Sequence, residues 1–140
     1  MTKAKALAKF LDCDLEDVSR NDYDSDCFEV SGERENFLVL TNDEANTRCR
    51  EQIEQSFWAF NTGFILSHTD LPLEAEKMIQ SFQKEKCEDA NDTIRALIKD
   101  FDHFVNDAIS ADGRGHFISG YDGEENEAEL DGEMFFIYRQ

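Results

Sequence analysis

The 140-residue sequence predicts an α+β fold, a small antiparallel sheet of two hairpins packed against three to four helices. Two β-rich pairs of runs, each joined by turn residues, predict the hairpins. Apolar stripes at helical spacing lie between those pairs. With 40% hydrophobic residues, 12 Phe and a single Pro, the chain can close a core over both kinds of element.

In chain order, Ala4, Leu7, Ala8 and Leu11 recur at helical spacing, so the chain opens with a helix. A break follows at Asp12 and Asp14, and Leu15 and Val18 suggest one more helical turn. After the acidic loop NDYDSD come CFEV and NFLVL, where Phe28 and Val30, then Phe37 and Val39, alternate as in a half-buried hairpin. Thr41 and Glu44 have the spacing of a capping box, which predicts a long helix over 42–68. Ile53, Phe57, Phe60 and Phe64 form its apolar stripe, with Trp58 and Ile65 on the flank. Asp70 ahead of Leu71-Pro72 suggests another cap, and Ala75, Met78, Ile79 and Phe82 continue the pattern.

The strongest periodicity is Ala90, Ile94, Leu97, Ile98, Phe101, Phe104, Val105 and Ala108, which predicts one helix over 90–109 ended by a capping glycine. His103 falls off this stripe and is expected to be exposed. In the tail, Asp131-Gly132 between two extended runs signals a type I′ hairpin. No internal repeat or Pro/Ser-rich linker interrupts the chain, so residues 1–140 read as one domain.

The charge is uneven. Fourteen basic residues against 32 acidic ones leave a formal net of −18, which disfavours direct binding to nucleic-acid phosphates or an anionic membrane. Residues 21–41 carry −5 and residues 111–140 carry −6, so the two hairpin regions hold −11 of the total. If they share a sheet, the field concentrates on that side of the fold. Such a face attracts a basic protein and can imitate the phosphates of a nucleic acid. The candidate partner-binding residues are Asp22, Asp24, Asp26, Glu29, Asp122, Glu124, Glu125, Glu127 and Glu129. The alternative is that the charge serves solubility.

Motifs for chemistry are weak. Asp22, Asp24, Asp26 and Glu33 match four calcium-loop positions, but Cys27 stands where the loop needs Gly, and strands flank it. Cys13, Cys27, Cys49 and Cys87 form no CxxC pair, so zinc is not expected and the thiols read as reduced and structural. Asp112-Gly113-Arg114-Gly115-His116 brings two glycines beside two cationic side chains and suggests an anion site, with Trp58, Asn61 and Asn91 as further ligand-binding candidates. No nucleophile signature appears, so no catalytic residue, metal ligand or cofactor is assigned and an enzyme is not expected. Without a secretory or membrane-spanning run, the expected location is the cytoplasm.

The strings SFWAFNTGFILSHT (56–69), KCEDANDTIRALIKDFDHFVNDAISADGRGHFISGYDGEENE (86–127) and FFIYRQ (135–140) resemble small acidic proteins encoded by tailed bacteriophages and prophages. The resemblance covers most of 42–140 and is most specific in DGRGHFISGYDGEENE. It implies a phage origin and action in the host cytoplasm, with no functional residues to carry over. Origin and charge together suggest an accessory protein of the DNA-mimic type, an anti-CRISPR or anti-restriction inhibitor, binding a basic nucleic-acid-handling host protein. A small-ligand or metal-binding protein around the Asp112–His116 loop is the alternative, and a virion structural or assembly protein is the second.

Overall fold

A computed structural model describes residues 2–140 and has the α+β architecture the sequence predicts. In chain order the first elements are α1 (Thr2–Leu11), β1 (Val18–Arg20), β2 (Cys27–Val30), β3 (Phe37–Leu40), α2 (Asn42–Glu54) and α3 (Thr62–Ser67). They are followed by α4 (Glu76–Lys86), α5 (Asn91–Leu97), α6 (Phe101–Asp112), α7 (Arg114–Ile118), β4 (Asn126–Leu130) and β5 (Glu133–Arg139). The chain forms two compact units: residues up to Cys49 with Asp112–Gln140, and Arg50–Ala111.

The first unit holds a five-stranded antiparallel sheet in the order β1-β2-β3-β5-β4. Both expected hairpins form, and β3 joins them by pairing with β5 from Phe37↔Arg139 to Leu40↔Phe136. Asp131 and Gly132 both have positive φ (53° and 82°), the geometry a type I′ turn requires. Ala4, Ala6 and Leu7 of α1 pack on one sheet face against Phe28, Val30, Phe37, Val39, Ala128, Phe135 and Ile137. Thr41 and Glu44 form the expected capping box at the start of α2, with N–H to Oγ1 at 3.3 Å and the reciprocal N–H to Oε1 at 2.9 Å.

Two local expectations in this unit are refined. The helical turn expected through Leu15 and Val18 forms as a 3-10 turn over Leu15–Asp17, but Val18 itself begins β1. Pairing of Val18 with Val30 decides this, since a three-residue edge strand carries almost no periodic signal of its own. β3 is buried on both faces from Phe37 to Leu40 where alternation suggested half-burial, because it is the central strand.

In the second unit, the helix expected over 42–68 does not run through. α2 ends at Glu54, a 3-10 turn spans Phe57–Ala59, and Phe60 is extended. Asn61 then caps α3, its Oδ1 accepting the Phe64 N–H at 3.0 Å. The phenylalanine stripe still converges, with the rings of Phe57, Phe60 and Phe64 at 5.0, 5.1 and 5.0 Å from that of Phe104. Buried Gln83 of α4 holds the turn by donating to the carbonyls of Phe57 and Phe60 at 2.9 Å and accepting from the Thr62 hydroxyl at 3.2 Å. Asp70 does not cap; it pairs with Lys99 at 2.9 Å, and α4 begins at Glu76 after a 3-10 turn.

The helix expected over 90–109 is likewise divided. Ile98 is extended (ψ 125°), Lys99 donates its N–H to the His68 carbonyl at 3.0 Å, and Asp100 restarts the helix. The Asp100 carboxylate accepts the His103 N–H at 3.2 Å, and its carbonyl accepts the Phe104 N–H at 3.0 Å. Ile94, Ile98, Phe101 and Phe104 are buried on both sides of the break, so apolar spacing alone reads through it. Among the described residues, no helix is long and apolar enough to cross a membrane.

Candidate functional site

The sheet unit has 8 basic and 20 acidic residues, a net of −12, against −6 for the helical unit. Fold and pairing divide its carboxylates into two groups. One group is spent internally. Asn21 Oδ1 accepts the N–H groups of Tyr23 and Asp24, shaping the β1–β2 loop, and Asp24 Oδ1 accepts the Asp26 N–H at 2.9 Å. Lys3 of α1 pairs with Asp26 and, at 2.8 Å, with Glu44, while Arg48 of α2 pairs with Asp24 at 2.9 Å and Asp26 at 3.4 Å. Burial alone would push Asp24 up, but the Asp26 N–H and the Arg48 guanidinium outweigh it and hold the carboxyl below its ordinary range. Glu44 is held low in the same way, with Lys3 and Thr41 outweighing burial. The calcium-loop carboxylates Asp24 and Asp26 therefore face two protein cations.

Glu125 and Asp122 also belong to the internal group. Glu125 accepts from Arg114 Nε at 2.8 Å and from the buried Tyr138 hydroxyl. Burial, with Glu125 beside it, pushes the Tyr138 phenol far up. Asp122 accepts the Glu124 N–H and the Ser119 hydroxyl, both at 3.0 Å, and lies 3.9 Å from Arg139. These donors, the Glu124 N–H foremost, lower its carboxyl.

The other group is exposed. Glu29, Glu127 and Glu129 share the sheet face opposite α1, since they alternate with Phe28, Val30 and Ala128, which face it. Glu127 and Glu129 stand about 7 Å apart along edge strand β4, and Glu29, three strand spacings across the sheet and four residues along it from Glu127, is roughly 19 Å away. Asp22 and Glu124 are exposed in the adjoining loops. Among the described residues, none of these five carboxylates has a salt-bridge partner. The fold thus brings Glu124, Glu127 and Glu129 to β4 and the loop before it, keeps Asp22 and Glu29 on the β2 side, and engages Asp24, Asp26, Glu125 and the exposed Asp122 with internal partners.

Sequence reasoning missed two features here. Tyr23 is 99% exposed beside Asp22, and Tyr121 is 62% exposed beside Asp122. Asp12, Asp14, Asp17 and Glu33 gather around Cys13, whose thiol burial and these charges push up. The three lysines of α1 together with Arg20 bring residues 1–20 to zero net charge, which conceals that acidic group in a block count.

The ligand-binding candidates are scattered. Arg114 is committed: besides Glu125 it reaches the side-chain oxygens of Asn42 and Asn46 at 2.9 Å and lies 4.5 Å from the Phe136 ring centroid. His116 is exposed with its ring against Phe117 while Arg114 is spent on these partners, so the two side chains form no anion clamp. Trp58 and Asn91 line an open groove of about 580 Å³ whose walls include Glu88, Asp89 and Asp92, an acidic setting unsuited to phosphate. Asn61 is the α3 cap, and it, Trp58 and Asn91 lie in the helical unit, whereas Arg114 and His116 lie in the sheet unit.

All four cysteines are free. Burial pushes the Cys49 thiol up to about 11 and also raises Cys27, which suppresses the reactive thiolate. Among the described residues, one group has donors suited to a metal ion, His68, His103 and Asp107. Comparison with protein-family models, curated proteins and solved structures finds no match to this chain.

Proposed function

We propose that the protein is a phage accessory inhibitor that binds a basic nucleic-acid-handling host protein through the acidic surface of its sheet unit. The observation that carries this reading is the division of carboxylates. Asp24, Asp26, Glu44 and Glu125 neutralise Lys3, Arg48 and Arg114, while Glu127 and Glu129 on edge strand β4 and Glu124 in the loop before it have no cation partner among the described residues. Unpaired carboxylates at a few ångströms' spacing steer a positively charged groove and occupy the places of phosphates. Tyr23 and Tyr121 supply the large exposed rings that anchor protein interfaces. Charge on an edge strand also prevents edge-to-edge association, so binding has to be tested directly.

The test passes tagged protein over a bacterial lysate, elutes in salt steps and identifies what is retained. The expected result is a basic nucleic-acid-binding protein held in stoichiometric amount, released at moderate salt and displaced by duplex DNA. A Glu124→Lys, Glu127→Lys, Glu129→Lys variant with an unchanged circular dichroism spectrum should lose it. Undiminished retention by that variant, or no retained basic protein, overturns the reading.

A further inference from the structure

In the helical unit, His68 follows α3 directly, and His103 and Asp107 lie one turn apart on α6. The spacing of four residues puts the last two on one helix face. Their donor atoms converge: Asp107 Oδ2 is 3.1 Å from His68 Nε2 and 3.5 Å from His103 Nε2, and all three lie within 4.8 Å of one another. Two ligands at about 2.0–2.1 Å from a tetrahedral ion are about 3.4 Å apart, so both contacts to Asp107 already have the required separation. Closing the remaining gap needs only a small swing of His103, whose side chain is 64% exposed.

The cluster is also held in place. The His68 N–H donates to the Ile65 and Leu66 carbonyls, and its own carbonyl accepts the Lys99 N–H at 3.0 Å. Its ring is fixed between those of Phe64 and Phe104, at 5.2 and 5.0 Å. The His103 N–H is pinned by Asp100. Burial of His68 beneath the more exposed His103 and Asp107 leaves one side of the cluster open to water.

We infer that His68, His103 and Asp107 bind a divalent first-row transition ion, with zinc as the probe. The two imidazoles are borderline nitrogen donors that select such ions over calcium or magnesium, and the carboxylate adds a negatively charged oxygen ligand that these ions also accept. Three protein ligands leave at least one coordination position for water or an exogenous ligand. The inference is independent of the acidic surface of the sheet unit.

The experiment titrates the full chain with zinc chloride by calorimetry and follows the histidine ring protons by NMR. Expected are one zinc per chain, shifts confined to the His68 and His103 rings, and no comparable uptake of magnesium. His103→Ala and Asp107→Asn, both at exposed or half-exposed positions that should leave the fold intact, should each weaken binding at least tenfold. Cys87→Ser, which removes the exposed thiol, should leave it unchanged. No zinc uptake by the wild-type chain, or uptake lost in Cys87→Ser and kept in the other two variants, overturns the assignment.

Discussion

Gly115→Ala is the substitution whose cost the structure defines most closely. Gly115 lies in α7 against the loop before β4, where an added Cβ would sit 2.6 Å from the Glu124 carbonyl carbon, 2.6 Å from the Gly123 oxygen and 2.8 Å from the Glu125 nitrogen. All three are backbone atoms. Carbon contacts settle at about 3.5 Å or more, so the Gly123–Glu125 segment must retreat by roughly 0.8 Å. Carrying Glu125 with it lengthens the 2.8 Å bond from Arg114 to about 3.6 Å, past hydrogen-bonding range. Overpacking costs about 1–3 kcal/mol and the partly buried charged bond about 1 more, while replacing a helical glycine returns up to about 1 kcal/mol. The net is a destabilisation of about 1–4 kcal/mol, which for a chain of this size lowers Tm by roughly 3–20 °C. Thermal unfolding followed by circular dichroism, with a urea titration beside it, reads this directly. A Tm within about 2 °C of the wild type would refute the close approach of α7 to this loop.

Two further outcomes follow from paired and buried polar groups. Asp24 and Glu44 are held below their ordinary values of 3.8 and 4.5, so their contribution to stability is present above those values and is lost as pH falls through the lowered ones. The urea midpoint should therefore fall as pH drops below about 4.5, and Lys3→Met, which removes one holding cation, should make that fall shallower; an identical acid slope would contradict the pairing. Gln83→Leu strips two carbonyls and one hydroxyl of their partner and should cost about 2–4 kcal/mol. Hydrogen exchange at Phe60 and Phe64 should accelerate in that variant, and unchanged protection there would count against the role given to Gln83.

The α+β class, both hairpins, the type I′ turn at Asp131-Gly132 and the Thr41–Glu44 box were legible because each rests on near neighbours in sequence. Alternation, helical spacing and turn chemistry are short-range signals. They failed where a long-range partner makes the choice. The periodicity of residues 90–109 is genuine, yet the Lys99 N–H finds the His68 carbonyl and Asp100 restarts the helix, so the stripe hides a break. β1 exists because Val18 meets Val30, which nothing within residues 15–20 announces.

The same division applies to the acidic site. Composition and spacing establish how many carboxylates the chain carries and that most of the net negative charge sits in the hairpin regions, since charge is a property of residues and needs no fold. Which of them stay available depends on cations remote in sequence: Lys3 and Arg48 reach Asp24, Asp26 and Glu44, and Arg114 reaches Glu125. The convergence of His68 on His103 and Asp107 is of the same kind, because donor atoms 35 or more residues apart meet only when packing fixes the helices that carry them. Local chemistry can be read along a line, whereas pairing and coordination are distances in space.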